Sequence, residues 1–270
     1  MGKFLIDHDL HIHSQLSLCS NDPLQTPERI LRYAQENGLK NICLTDHFWD
    51  EKMPGASNFD FYARQDFAHV TQALPLPQSD SVRFHFGCET DIDKFLHLGL
   101  SRERMDCFEF IIVPTTHLHM IGFTTDADRD DIPQRAEIYL KRLWALLRME
   151  LPFEKIGIAH LTCSLIAPGD FANHIALINR ISDAEFRHAF DAVAEKRAGV
   201  ELNFTLSKYS GQDRDDILRP YRIAKGCRCR FYFGSDAHHP AELDGAMQNF
   251  EEIADALALQ EEDKFAFPQH

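Results

Sequence analysis

Residues 231–238 read Phe231-Tyr232-Phe233-Gly234-Ser235-Asp236-Ala237-His238. Three aromatic residues and then a glycine mark a buried β-strand that breaks into a loop. That loop carries a carboxylate and an imidazole two residues apart, so an extended backbone turns Asp236 and His238 to one face. The same grammar recurs along the chain. Asp9-Leu10-His11-Ile12-His13 ends the first apolar run, and Asp46-His47 follows Ile42-Cys43-Leu44-Thr45. Glu89 follows Phe86-Gly87-Cys88, His117 follows the run from Ile111 to Thr116, and His160 follows Ile156-Gly157-Ile158-Ala159. Side chains that leave the ends of successive parallel strands converge on one mouth of a barrel. Imidazoles and carboxylates gathered there form a nest for divalent cations, and this many imidazoles favour Zn, Mn or Fe over Mg or Ca.

The runs near 4–13, 41–46, 82–92, 108–117, 156–162, 200–205 and 230–236 alternate with stretches of helical period. The helix over 27–37 has Thr26 as cap, Pro27 at its first position, Glu28 in its first turn and Asn37-Gly38 as its stop. Further helices are expected over 134–150, 183–198, 213–225 and 240–257, and from Asn58 to Leu74 inside the long connection 48–80. The stripe Ile138, Leu140, Leu143, Trp144 and Leu147 reads as core packing. The acidic connection 122–133 (Asp126, Asp128, Asp130, Asp131) reads as a solvated loop, with a lid over the site as the alternative. Seven strands with intervening helices predict an α/β protein with a (β/α)7 barrel. No second domain and no repeat is visible.

The 270 residues and 44% hydrophobic content suffice for one large core. With 42 acids against 28 bases and a formal net charge of -14, long duplex nucleic acid is an unfavourable partner. A small anionic substrate remains compatible, because bound metal ions add positive charge inside the site. The seven cysteines (Cys19, Cys43, Cys88, Cys107, Cys163, Cys227, Cys229) contain no CxxC pair and mostly sit in apolar runs. They read as reduced buried thiols of a cytoplasmic protein. No secretory signal and no run long enough to span a bilayer is visible.

With these residues in place the chain resembles the PHP family, named for polymerase and histidinol phosphatase domains. The resemblance rests on Asp9-Leu10-His11-Ile12-His13-Ser14, Thr45-Asp46-His47, Gly87-Cys88-Glu89, His117, Ala159-His160, Glu201-Leu202-Asn203 and Gly234-Ser235-Asp236-Ala237-His238. It implies a single domain over 1–270, a distorted (β/α)7 TIM-like barrel with motifs across 7–239 and a C-terminal helix and tail over 240–270. It also implies two to three divalent transition-metal ions. His11, His13, Glu89 and Asp236 would hold one. Glu89 would bridge to a second with His117 and His160, and His47 and His238 would serve a third. Many members carry a histidine eight residues after the first motif histidine, where this chain has Cys19. A thiolate there can complete the third site, or Cys19 is an ordinary thiol. His119 competes with His117, and the strand-end position after Thr115-Thr116 favours His117.

The resemblance and the ligand set together predict a metal-dependent phosphoesterase acting on a small phosphorylated metabolite. Histidinol phosphate, a nucleotide or a sugar phosphate are the candidates. Two cations about 3.5–4 Å apart share a hydroxide and aim it at phosphorus. Asp236 would orient that hydroxide or take its proton, and His238 or His47 would assist the leaving oxygen. No substrate-binding residue is fixed by the sequence. Lys208, Arg135 and Arg214 fall near rim loops, and Asn203 ends the sixth strand. The competing readings are an amidohydrolase-like enzyme cleaving C–N or C–O bonds, and a non-catalytic metal-binding module.

Overall fold

The apolar runs pair as short parallel strands in a computed structural model, which describes residues 2–55, 59–126, 131–167 and 171–267. The strands are β1 (His8–Ile12), β2 (Asn41–Leu44), β3 (Arg83–Phe86), β4 (Cys88–Glu89), β5 (Ile111–Pro114), β6 (Ile156–Ala159), β7 (Gly199–Leu202) and β8 (Arg230–Phe233). They form two parallel sheets, β1-β2-β3 and β4-β5-β6-β7-β8. β3 and β4 are halves of one run that is interrupted at Gly87. A Cβ on Gly87 would lie 2.5 Å from the Phe110 carbonyl oxygen and 2.7 Å from Cys43 Sγ, so only glycine fits between these neighbours.

Two single bridges join the sheets into a ring of seven staves. His47 pairs with Glu89 on one seam and Ile12 with Ala237 on the other. On the second seam Asp236 N donates to His11 O at 2.7 Å, and His13 N donates to Ala237 O at 3.0 Å. The molecule is therefore an α/β barrel with seven staves, distorted because the third stave breaks at Gly87 and the first and last staves meet through an isolated bridge rather than a ladder. All staves run the same way, so His13, His47, Glu89, His117, His160, Asn203 and Asp236 gather at one mouth. At the other end, Phe265 N donates to Phe231 O at 2.8 Å. Phe265 packs there with Leu10, Cys43, Phe110, Ile112, Ala159 and Tyr232.

The helices follow their local signals. The helix Pro27–Glu36 starts at Thr26, whose Oγ1 accepts from Arg29 N, and buries Ile30, Leu31, Tyr33 and Ala34 against the strands. It ends at Gly38, whose φ of +68° suits glycine. Asp131 caps the helix Ile132–Arg148, and Ser182 with Glu185 forms a capping box for Asp183–Lys196. Three expectations need correction. The stretch 58–74 is not one helix but Asp60–Ala63, Phe67–Val70 and a 3-10 turn at Thr71–Ala73. The break comes because Asp66 caps a new start by accepting from His69 N at 2.9 Å, while Asn58 lies outside the described residues. The segment 240–257 splits into Pro240–Leu243 and Ala246–Ala256 around Asp244-Gly245. A helix over Phe171–Arg180, which buries Ile175, Leu177 and Ile178, was not foreseen.

In the acidic connection, Asp126 pairs with Lys94 and Asp131 is a helix cap, so both have structural duties. Asp128 and Asp130 lie outside the described residues. No described helix is long and apolar enough to cross a membrane.

Candidate metal centre

His11 and His13 leave β1 on one face, as their spacing requires. They meet Glu89 from β4 and Asp236 from the loop after β8. His11 Nε2 lies 3.1 Å from His13 Nε2, 3.6 Å from Glu89 Oε2 and 3.4 Å from Asp236 Oδ1. His13 Nε2 lies 3.3 Å from Glu89 Oε2 and 3.1 Å from Asp236 Oδ1. A tetrahedral ion with bonds of about 2.0–2.2 Å separates its ligand atoms by about 3.3–3.6 Å. The quartet therefore has the size of one coordination shell.

The other oxygen of Glu89 faces a second group. Glu89 Oε1 lies 3.2 Å from His160 Nε2 and 3.9 Å from His117 Nε2. Asp236 Oδ2 is 3.8 Å from the same His160 nitrogen. Both carboxylates thus span the two groups. A third group joins His47 and His238 to His13. His13 Nε2 already belongs to the quartet, so this third group is short of one donor.

The rear nitrogens of the rings are held by neighbours, which fixes how each ring presents its front. His11 Nδ1 lies 2.5 Å from Glu201 Oε1 on β7. His13 Nδ1 donates to Ser17 Oγ at 2.8 Å, and Ser17 Oγ donates to Asp46 Oδ1 at 2.6 Å. His117 Nδ1 donates to Asp91 Oδ2 at 2.9 Å, and His238 Nδ1 donates to the Asp236 carbonyl at 2.8 Å. The Asn203 amide lies 2.7 Å from His160 Nδ1, and ligation through Nε2 requires its oxygen to face that N–H. Asp9 turns away, accepting from Ser235 N and Tyr33 Oη, and Asp46 serves Ser14 and Ser17. His160 and Asp236 take left-handed backbone, with φ of +61° and +54°. Such conformations concentrate where a fold must aim a side chain. Here Glu201 Oε2 accepts from His160 N at 3.1 Å and His11 O from Asp236 N.

The fit to metal ions rests on what the pocket leaves unsatisfied. Glu89 Oε2, Asp236 Oδ1 and His47 Nδ1 are buried without a hydrogen bond of good geometry among the described residues; Glu89 Oε2 lies 2.9 Å from His47 Nδ1 and Asp236 Oδ1 lies 3.1 Å from His13 Nε2. Such groups are costly unless something else neutralises them. Burial alone would raise Glu89, but His47 and His11 hold its carboxyl well below the usual range. Asp236 is likewise held well below its usual range against burial, by His11 and His160. Burial disfavours charge on His13, yet Asp236 and Glu89 push it up to about 9. His11 and His160 are also raised against burial, by Glu201 with Asp236 and by Asp236 with Glu89 respectively. Burial keeps His47 low, and burial with the nearby His13 takes His238 down to about 3. Carboxylates and imidazoles this close together form donor groups that could hold metal ions.

Around this centre lies a cavity of about 520 Å³, lined by Cys19, Phe59, Phe61, Tyr62, His119, Met120, Ile121 and Leu165 besides the histidines and carboxylates. Cys19 reaches the cavity but belongs to none of the donor groups, and His119 lines the wall while His117 joins the second group. Cys19 is exposed, not buried; of the other free cysteines only Cys43, Cys88 and Cys229 are buried, because the remainder sit in loops or at helix ends. The cations that fall near rim loops in the sequence do not line the cavity. Arg135 is buried and donates to the carbonyls of Leu118 and Ile166, while Lys208 and Arg214 are exposed and outside the cavity wall. Glu201, Asp91 and Ser17 were not assigned roles from sequence. A carboxylate inside the apolar run 200–205 was the available signal for Glu201, since burial demands a partner.

The sequence profile of the family described as "PHP domain" matches residues 9–205. No curated protein matches the chain by sequence. Among solved structures, the chain is similar to histidinol phosphate phosphatase of Lactococcus lactis subsp. lactis, solved with zinc, L-histidinol and phosphate. The identity is 15%, the TM-score is 0.55, and the match covers 96% of this chain and 98% of that one. A Listeria monocytogenes protein assigned as a histidinol phosphatase has the same identity and TM-score, with 90% and 99% covered. At that identity the likeness is one of fold.

Proposed function

The chain belongs to the PHP domain family, and from that premise we propose that it is a metal-dependent phosphoesterase acting on a small phosphate ester. The observation that carries this reading is the split of Glu89, with Oε2 in the quartet with His11, His13 and Asp236 and Oε1 toward His117 and His160. One carboxylate shared between two donor groups is the arrangement a two-ion site needs. We assign His11, His13, Glu89 and Asp236 to the first ion, and Glu89, His117 and His160 to the second. His47 and His238 are left for a third. Zn, Mn or Fe suit this donor set. When bound, such ions neutralise phosphate oxygens and supply a nucleophile from water at neutral pH.

The chain's own residues do the rest. Asp236, 27% exposed at its side chain, is the carboxylate at the open edge of the centre. It is placed to orient an attacking water or to take its proton. His238 donates through Nδ1 to a carbonyl and is held neutral, so its front nitrogen presents a lone pair. That form ligates an ion or accepts a proton. The buried rear shell (Glu201, Ser17, Asp91) fixes ring orientation before substrate arrives, which removes reorganisation from the reaction. Histidinol phosphate, named for the Lactococcus structure, is one candidate substrate.

The test is a panel of phosphate esters assayed with Mn or Zn, alongside metal analysis and Asp236→Asn. At least two transition-metal ions per chain and a hundredfold or greater loss in the variant are expected. A fully folded wild type that takes up no metal, or hydrolyses no ester, would falsify the reading. A second reading, hydrolysis of C–N bonds, is favoured by one observation: no Lys or Arg among the described residues lines the cavity. Adding an N-acyl amino acid to the panel separates the two.

A further inference from the structure

The cavity wall beyond the donor groups is aromatic and starts directly on the centre. The edge of Phe61 meets the His47 ring at 5.1 Å and 69°, and Phe61 packs on Tyr62 at 5.1 Å. Phe59 stacks on Phe123 at 4.5 Å and 11°, and Phe123 packs against Trp49 at 5.0 Å. Trp49 is buried and is itself gripped by Gly99, where any Cβ would lie 2.4 Å from its ring. This backing holds the wall in one arrangement. Met120, Ile121 and Leu165 complete the apolar lining.

The polar groups on this wall beyond the donor groups are few: Tyr62, His119 and Cys19. Tyr62 Oη donates to Asp91 Oδ2 at 3.4 Å. His119 is an exposed imidazole on the cavity wall. Although the residue is exposed, the protein around its sulfur and the carboxylates of Glu89 and Asp236 push the Cys19 thiol up. A polyol placed here would lose its water and meet few hydrogen-bonding groups, which is the costly way to bury a hydroxyl. An aryl or alkyl group loses nothing and gains stacking on Phe59 and Phe61.

We propose that the alcohol half of the substrate is aromatic or apolar, bound along Phe59, Phe61, Met120, Ile121 and Leu165, and that sugar-like phosphates are discriminated against. This rests on the phosphoesterase reading and names the substrate class for that same centre. A hydrophobic slot of this kind separates substrates by their apolar bulk, and a site with few hydrogen-bonding groups rewards a polyol little.

The experiment compares 3-phenylpropyl phosphate, propyl phosphate and glycerol phosphate on the Mn- or Zn-loaded protein. The first two release primary alkanols of similar acidity, so their ratio reads the wall rather than leaving-group chemistry. The expected kcat/KM is at least tenfold higher for the phenylpropyl ester than for the propyl ester, with glycerol phosphate poorest. Phe59→Leu and Phe59→Ala should lower that ratio progressively. The wild-type comparison stands even where a variant fails to fold. Clear phosphate release with a ratio near one, or with glycerol phosphate preferred, overturns the inference and leaves the phosphoesterase reading intact. No release from any ester overturns both.

Discussion

Glu201 Oε1 lies 2.5 Å from His11 Nδ1, on the side of the ring away from the donor quartet. Both side chains are fully buried. The carboxylate fixes the ring, sets its tautomer and raises the basicity of the nitrogen that faces the centre. The same carboxylate accepts from His160 N through Oε2, so one residue orients a member of each of the first two donor groups.

Glu201→Gln is therefore expected to lower metal affinity about 10–100-fold without displacing any donor. Competition with a chromogenic chelator measures this. Wild-type affinity in a folded variant would show that Glu201 is only structural.

Arg142 and Asp91 form a buried pair at 2.5 Å behind His117, and Arg142 also donates to the carbonyls of Thr115 and Pro114. Arg142→Met leaves the Asp91 carboxylate without its cation, and loss of one partner of such a pair costs about 3–5 kcal/mol. Urea unfolding should show that loss, and Asp91→Asn added to it should recover part. A midpoint within error of wild type is the contrary outcome.

Metal binding and protons compete at the centre. His13 is raised to about 9 and His11 and His160 are raised too, all by the surrounding carboxylates acting against burial. A raised histidine stabilises the metal-free fold fully below its unfolded value, about 6.5, and that contribution is lost as pH rises through about 9. Metal-free protein should thus lose stability between those limits. Metal affinity should climb over the same window, by about tenfold per pH unit for each proton displaced. Calorimetry in buffers of different ionisation enthalpy counts the protons; none released would contradict the ligand assignment.

Cys19 lines the cavity but stands outside every donor group. Cys19→Ala should leave metal stoichiometry unchanged, as measured by elemental analysis of the purified protein. Loss of one equivalent would instead make the thiolate a ligand.

Much of this protein was legible in its residues. Apolar runs that end in His, Asp or Glu located six of the seven staves, and the run ending at Asn203 the seventh, because burying such a run and aiming its last side chain at the mouth leaves few alternatives. The two-residue spacing of His11 and His13 put them on one face for the same geometric reason. Thr26-Pro27 and Asn37-Gly38 bounded the first helix because caps act locally. What needed the tertiary structure is set by contacts remote in sequence. Arg135 falls near a rim loop and reads as an ordinary surface charge, and only the packing of Ile132–Arg148 shows it buried against the Leu118 and Ile166 carbonyls. Glu201 reaches His11 across 190 positions, and Arg142 reaches Asp91 across 51. The aromatic wall joins Trp49, Phe59 and Phe61 of the connection after β2 to Phe123 of the connection after β5. Periodicity and spacing report which way a side chain leaves its own backbone; they do not report what it meets there. The sequence determined which residues can bind metal, and the folded chain decided how they are oriented and what surrounds the place a substrate would take.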